Sequence, residues 1–268
     1  MKGMAMTKKV ICGSEIWQKG LHAFFVLSMV ILLMNNVQAQ VWGPPPVKLL
    51  DRTTAGKHVC FKLSDGSDCG TETWAITVQS DGTRSIRAYT DWSATETQIN
   101  VFLRADKNYR PLEAFANVYL SGRLSGTGLY VVDGKTLTVT VNAPNDYFVE
   151  SLPLPGDFSL LLHPISIDGW HFGYYDKRGQ DTQPGAIFTL GAARRSVLVK
   201  KLAMPLTFYG AETITVPAGT FETDHYRFGT PPISAEVWIH GPDRVVIKHE
   251  YARNDTRFLL TELVETSR

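Results

Sequence analysis

Between residues 73 and 264 the chain repeats one pattern. Short runs in which apolar positions recur among polar ones are separated by polar breaks. The runs are TWAITVQ (73–79), RSIRAYT (84–90), QINVFLR (98–104), FANVYL (115–120), KTLTVTV (135–141), RSVLVKKLA (195–203), AEVWIH (235–240), RVVIKHEY (244–251) and RFLLTELV (257–264). They are rich in Val, Ile, Thr and aromatic residues, which suit a pleated surface that buries one face. The breaks read SDGT, SGRLSGTG, VDGK, PAGT, HGPDR and ARNDT, and Asp81-Gly82 and Asp133-Gly134 are tight-hairpin signals. Helical period is scarce: GDFSLLLHP (156–164) offers one short helix, and PLEAFANV (111–118) fits either state. Strands do not alternate with long helices, so a parallel sheet is not expected. The pattern predicts a mainly β chain: a single curved antiparallel sheet or half-open β-barrel, with a long central loop and at most one or two short helices.

The start of the chain has a different pattern. Lys2, Lys8, Lys9 and Lys19 precede the apolar run AFFVLSMVILLM (23–34), and NNVQA follows. A basic region, an apolar region and small residues at Val37 and Ala39 are the order of a secretory signal. The run is twelve residues long, against about 20 for a membrane span. Cleavage before Gln40 is expected, leaving an exported chain in the periplasm with no stable membrane anchor. Residues 1–39 are then the signal, 40–56 a Pro-rich lead-in around Pro44-Pro45-Pro46, and 57–268 one β-barrel-like domain.

Charge and cysteine content narrow the picture further. The whole chain has 27 Lys and Arg against 26 Asp and Glu; without the four lysines and Glu15 of the signal, 23 face 25, a net charge near −2. No basic field is left for nucleic acid. Cys60 and Cys69 flank the turn-rich KLSDGSD, and in an oxidising compartment a disulfide is expected between them. Closing so short a loop contributes about 2–3 kcal/mol.

ITVPAGTFETDHYRF (214–228), followed by SAEVWIHGPDRVVIKHEYA (234–252), resembles an uncharacterised family of bacterial periplasmic proteins with a recurring V-P-A-G-T-F hairpin. The resemblance covers about residues 195–264. It implies a fold similar to the half-open barrels of periplasmic lipoprotein carriers, a curved sheet around an apolar cavity, and brings no catalytic residues with it.

Candidate chemistry concentrates in residues 143–190, which are rich in Pro, Gly and aromatics and separate two groups of strands. At their centre stands HPISIDGWHFGYYD (163–176). This stretch is expected to lie over the mouth of a barrel, since long loops are uncommon unless they bind or cover something. Trp170, Phe172 and Tyr175, with Trp238 from a later strand, are the candidate ligand contacts. His163, Asp168, His171 and Tyr174 are the candidate proton-transfer and oxyanion-stabilising groups. A second candidate pair is Glu236 with His249, which face one another if Gly241 and Arg244 flank a two-residue turn; a bulge would dissolve it. His225 could face Glu212 in the same way. The histidine spacings match no metal motif, and neither a metal nor an organic cofactor is expected. The first functional reading is an exported binder of an apolar small molecule, either a lipid or a hydrophobic metabolite. The alternatives are a cofactor-free acid/base enzyme (isomerase, cyclase or lyase) using the same cavity, and an envelope-assembly interaction protein.

Overall fold

The computed structural model describes residues 50–193 and 196–267. The expected signal, and the lead-in up to residue 49, lie outside the described residues. The rest of the lead-in is already strand, because β1 begins at Leu50.

Among the described residues fifteen strands form one sheet. They are β1 (Leu50–Lys62), β2 (Asp68–Gln79), β3 (Arg84–Trp92), β4 (Thr97–Ala105), β5 (Pro111–Leu120), β6 (Arg123–Asp133), β7 (Thr136–Ala143), β8 (Asp146–Pro153), β9 (Ser159–Leu161), β10 (Thr182–Ala193), β11 (Ser196–Val216), β12 (Gly219–Thr230), β13 (Ile233–His240), β14 (Val245–Tyr251) and β15 (Thr256–Ser267). The spatial order runs β8 to β1, then β15 back to β9, so the sheet is a continuous meander joined where β1 pairs with β15. Pairing is antiparallel throughout except for β9 against β10. The sheet is open and curved, and its two edges are β8 and β9.

Strand alternation is the direct cause of this form. In β4, Thr97, Ile99, Val101, Leu103 and Ala105 point inward while Gln98, Asn100, Phe102 and Arg104 stay half-exposed. The same parity on β2, β3, β5, β6 and β7 supplies Ile76, Ile86, Ala116, Tyr130 and Val139 to one continuous core. The ambiguous 111–118 is strand β5, and GDFSLLLHP holds β9 rather than a helix. The V-P-A-G-T-F turn is as its residues imply: Pro217 and Ala218 link Val216 to its partner Gly219, which takes φ +141°.

The central stretch does not lie over a mouth. Residues Ile165–Phe172 form a 3-10 helix in which every residue is buried, running through the inside of the sheet. Burial on all sides is what an eight-residue segment carrying Ile165, Ile167, Trp170 and Phe172 needs, and a lid would leave half of that surface in water. The two glycines that interrupt the alternation permit close approach. A Cβ on Gly169 would strike the carbonyl oxygen of Arg244, and one on Gly173 the side chain of Tyr109.

The helix is fastened at both of its ends. At its start, the buried Glu72 carboxylate on β2 accepts the backbone N–H groups of Ile165 (2.9 Å) and Ser166 (2.8 Å) and the Thr90 hydroxyl (2.8 Å). Toward its other end, Trp170 Nε1 donates to the Asp243 carbonyl (3.2 Å). The Asp243 carboxylate is itself gripped by Arg52, whose Nε lies 2.6 Å from Oδ2, and has Arg84 at 3.9 Å. Tyr109 donates to the Pro242 carbonyl, with the Arg84 guanidinium 3.9 Å from its ring centre. A helix start is a natural carboxylate site, and here that carboxylate comes from another strand.

Candidate functional site

The buried helix divides the interior into two sides. Ile167 and Trp170 pack into the aliphatic core of β2–β7. Ile165 and Phe172 face an aromatic group from β12 and β15 that includes Tyr226, Phe228 and Phe258. On this second side a cavity of about 580 Å³ remains. Its apolar wall includes Trp92, Ile165, Met204, Phe228 and Phe258 together with Cys60 and Cys69. Exposed Thr95 and Asn254 stand at its rim. The expected disulfide is formed, with its Cα atoms 5.1 Å apart, and ties β1 to β2 at the cavity wall.

Three polar groups singled out in the sequence also line this space: His163, Asp168 and His249. His163 enters the buried helix at φ +80°, a conformation unusual for a side-chain-bearing residue, and meets Trp92 edge-on at 6.3 Å. Asp168 and His249 are buried beside each other, with Asp168 Oδ2 3.1 Å from His249 Nε2. The other carboxylate oxygen, Oδ1, lies 3.2 Å from His171 Nε2, and His171 Nδ1 lies 2.8 Å from Ser159 Oγ. A carboxylate only accepts, so His171 presents Nε2–H to Asp168 and its Nδ1 accepts from the Ser159 hydroxyl. Burial alone would raise the Asp168 pKa, but the two imidazoles outweigh it and hold the carboxyl below its ordinary range. Ser159 and His171 stand behind Asp168, outside the cavity wall, so the Ser–His–Asp order presents no accessible nucleophile.

The other candidates are placed elsewhere. Trp170 and Phe172 are core: Trp170 meets Tyr109 edge-on, and Phe172 stacks on Tyr226 at 4.4 Å. The Tyr175 hydroxyl donates to the Asp181 carbonyl (2.6 Å), and Tyr174 packs against the same aromatic group. Trp238 lies on the outer face, where it stacks on His225 at 4.2 Å under the Lys248 ammonium and donates to Glu212.

The Glu236–His249 pair does not form. Ile239 pairs with Val246 in the expected register, but a bulge between Trp238 and Ile239 then shifts it by one. Glu236 therefore faces Glu250, and His249 faces Val237. The shift sends Glu236 outward to His225 Nε2 (2.9 Å); His225 does not face Glu212 in register, since Glu212 pairs with Thr223 and His225 with Gly210, but its Nδ1 reaches Glu212 diagonally at 3.1 Å. Among the described residues no group of three His, Cys, Asp or Glu is arranged to hold a metal ion, and no helix is long and apolar enough to cross a membrane.

Glu72, Asp243 and Tyr109 were not singled out in the sequence. Glu72 had a readable signal: it shares strand parity with Trp74, Ile76 and Val78, so β2 turns a carboxylate inward among core residues. Burial raises its pKa against the hydrogen bonds from Ser166, Thr90 and Ile165. His58 is a second buried group of this kind. Its Nε2 donates to the Val246 carbonyl (2.8 Å), its Nδ1 accepts from Trp74 Nε1 (3.0 Å), and burial lowers its pKa to about 4.

No known family model matches the chain, and no curated protein matches it. Among solved structures, the chain is similar to a β-barrel-like protein of the domain of unknown function DUF1849 from Brucella abortus. That likeness has 11% identity and a TM-score of 0.47, covering 83% of this chain and 100% of the other. A DUF1089 family protein from Pseudomonas aeruginosa is similar at 13% identity and a TM-score of 0.41, covering 67% and 88%. A protein described as exported, with a YmcC-like fold, from Bacteroides fragilis is similar at 10% identity and a TM-score of 0.27, covering 81% and 97%. Each is a likeness of overall fold and nothing more.

Proposed function

We propose that this protein is exported to the periplasm and binds an apolar small molecule, a lipid chain or a hydrophobic metabolite, in the cavity beside the buried helix. The observation that carries the reading is the cavity itself: about 580 Å³, with a wall that joins aromatic and aliphatic side chains to polar ones that include Lys62, His163, Asp168 and His249. A space of this size suits an apolar body of small-molecule dimensions. The fastened helix and the disulfide hold the wall in shape without a ligand, which lowers the ordering cost of binding. Native mass spectrometry and lipid extraction of protein purified from its own periplasm test this reading. A copurified hydrophobic ligand is the expected result; no such ligand, together with no saturable uptake of apolar probes, would overturn it.

Asp168 and His249 on the wall favour a second reading, a cofactor-free acid/base enzyme acting on a hydrophobic substrate. A buried imidazole oriented by a carboxylate can take a proton from a bound molecule. Turnover of a copurified ligand, abolished by His249→Phe, would move the assignment from carrier to enzyme.

A further inference from the structure

The cavity wall carries charge at two depths. Asp168 and His249 are buried, and the Asp168 carboxylate lies 3.1 Å from His249 Nε2 and 3.2 Å from His171 Nε2. Lys62 is the one lysine or arginine on the wall, and it is half-exposed beside the rim. Its strand partner is Thr256, two positions after the rim residue Asn254, and all three line the cavity. Two turns of one design meet there. Ser93–Thr95 and Ala252–Asn254 are each a single 3-10 turn followed by a left-handed acidic residue, Glu96 and Asp255. They bring exposed Thr95 and Asn254 to the opening.

The acids at this end are occupied, and Lys62 is not. Asp255 accepts from the Ser64 backbone N–H (2.8 Å) and hydroxyl, and Glu96 accepts from the Ser121 hydroxyl. Asp65, fully exposed, is held below its ordinary pKa first by Ser67, with Lys62 a lesser influence. Lys57, Lys177 and Lys248 each have a carboxylate partner; among the described residues none lies within ion-pair reach of Lys62. A few placed polar groups on an apolar wall fix how a guest is oriented. From this placement we infer that the ligand is an anionic amphiphile: an apolar body that fills the cavity and ends in a carboxylate, held at the mouth by the Lys62 ammonium beside Asn254 and Thr256. The inference rests on the cavity-binding reading above and narrows its ligand class. One lysine matches one negative charge, whereas a phosphate monoester carries nearly two. The wall also sets the direction. A head pushed inward would meet the buried Asp168 carboxylate, where like charges repel most strongly. At the mouth the head keeps much of its water, so little desolvation opposes the contact.

The test displaces N-phenyl-1-naphthylamine, a neutral fluorescent probe, from the full mature chain. The competitors are dodecanoate and dodecyltrimethylammonium, equal chains with opposite heads, both below their micelle-forming concentrations. Dodecanoate is expected to displace the probe at about fivefold lower concentration. That preference should shrink as KCl is raised. In Lys62→Glu the preference is expected to vanish or reverse while the probe still binds. Should that variant fail to fold, Lys62→Gln is read in its place and is expected to abolish the preference. Dodecanoate that displaces the probe no better than the cation overturns this inference and leaves cavity binding standing. No saturable binding of the probe or of either amphiphile overturns both. A preference for dodecanoate that survives the loss of the Lys62 charge places the head elsewhere and overturns the assignment.

Discussion

The two sides of the buried helix are built from one sheet and share one plug, yet one is solid and the other hollow. On the β2–β7 side the inward positions are mostly aliphatic, with Ile76, Ile86, Ile99, Leu103, Leu137 and Val139 among them, and they belong to the same core as Ile167 and Trp170. On the β12–β15 side rings (Tyr226, Phe228, His249 and Phe258) are interspersed with aliphatic Val237, Ile239 and Val246, and face Ile165 and Phe172. Branched aliphatics interdigitate and fill space, whereas rigid rings meet at fixed angles and can leave it open. The polar groups divide in the same way. Glu72 and His58, which support the plug and the core, have their hydrogen bonds satisfied, whereas His249 beside the hollow does not. A fully satisfied buried group holds structure together more firmly than one whose ring nitrogens lack aligned partners.

The sharpest way to break the contrast is to remove the support that both sides share. Glu72→Leu leaves the Ile165 and Ser166 amides buried without acceptors and is expected to cost about 3–5 kcal/mol in urea unfolding. Hydrogen exchange across 165–172 should accelerate in parallel. An unfolding cost under about 1 kcal/mol would show that hydrophobic burial alone seats the helix. Next in size is the disulfide. Cys60→Ser with Cys69→Ser is expected to cost about 2–3 kcal/mol, and because those residues line the hollow side, probe affinity should fall with stability. If affinity holds while stability falls, the wall does not need its staple.

A third effect depends on pH. His58 has a pKa of about 4 in the fold against an ordinary 6.5, so between those values the unfolded chain binds the extra proton. Its share of stability is intact above pH 6.5 and lost as pH falls toward 4. From pH 7 to pH 5 the loss is about 2 kcal/mol. His58→Gln, which keeps a donor and an acceptor but does not titrate, should flatten the stability profile by that amount when compared with the unaltered chain. Matching slopes for the two proteins would show that other groups carry the acid response.

The fold class was legible in the sequence because period-two alternation and turn chemistry are local, but not every strand was: SGRLSGTG (121–128) reads as a break, yet Arg123 already opens β6, and β8, β9 and most of β10 lie in the stretch read as a loop. The long central segment was legible as something different and as the place where chemistry concentrates. Its position was not, because burial on all sides leaves no periodicity to read, and the glycines that allow it to approach Arg244 and Tyr109 look in sequence like turn formers. Asp168 and His249 were both visible as candidates, but their union was hidden. They are far apart in the chain, and a single bulge at Trp238 decides that His249 faces the inside opposite Val237 and Glu236 the outside. Glu72 could have been found from parity. Its partners could not, since they are backbone amides of a segment whose path no local pattern fixes.

The smallest expected change in stability, that of Ala235→Leu, is also the most discriminating when it is set against the same substitution on the other side. Ala116 lies in the solid core and Ala235 on the cavity wall, and both are buried. Ala116→Leu adds volume where there is none to spare and is expected to destabilise by about 1–3 kcal/mol with probe binding intact in the folded fraction. Ala235→Leu adds the same volume into the hollow, where it buries new apolar area without strain. Its stability should change by under about 1 kcal/mol, while probe affinity drops steeply. Thermal unfolding and one probe titration on each variant are enough. If Ala235→Leu is as costly as Ala116→Leu, the hollow is closed in solution and the two sides are alike. If it is neutral and still binds the probe, the binding site lies elsewhere on the molecule. Neutral stability with lost binding separates the side built to hold the fold from the side built to hold a guest.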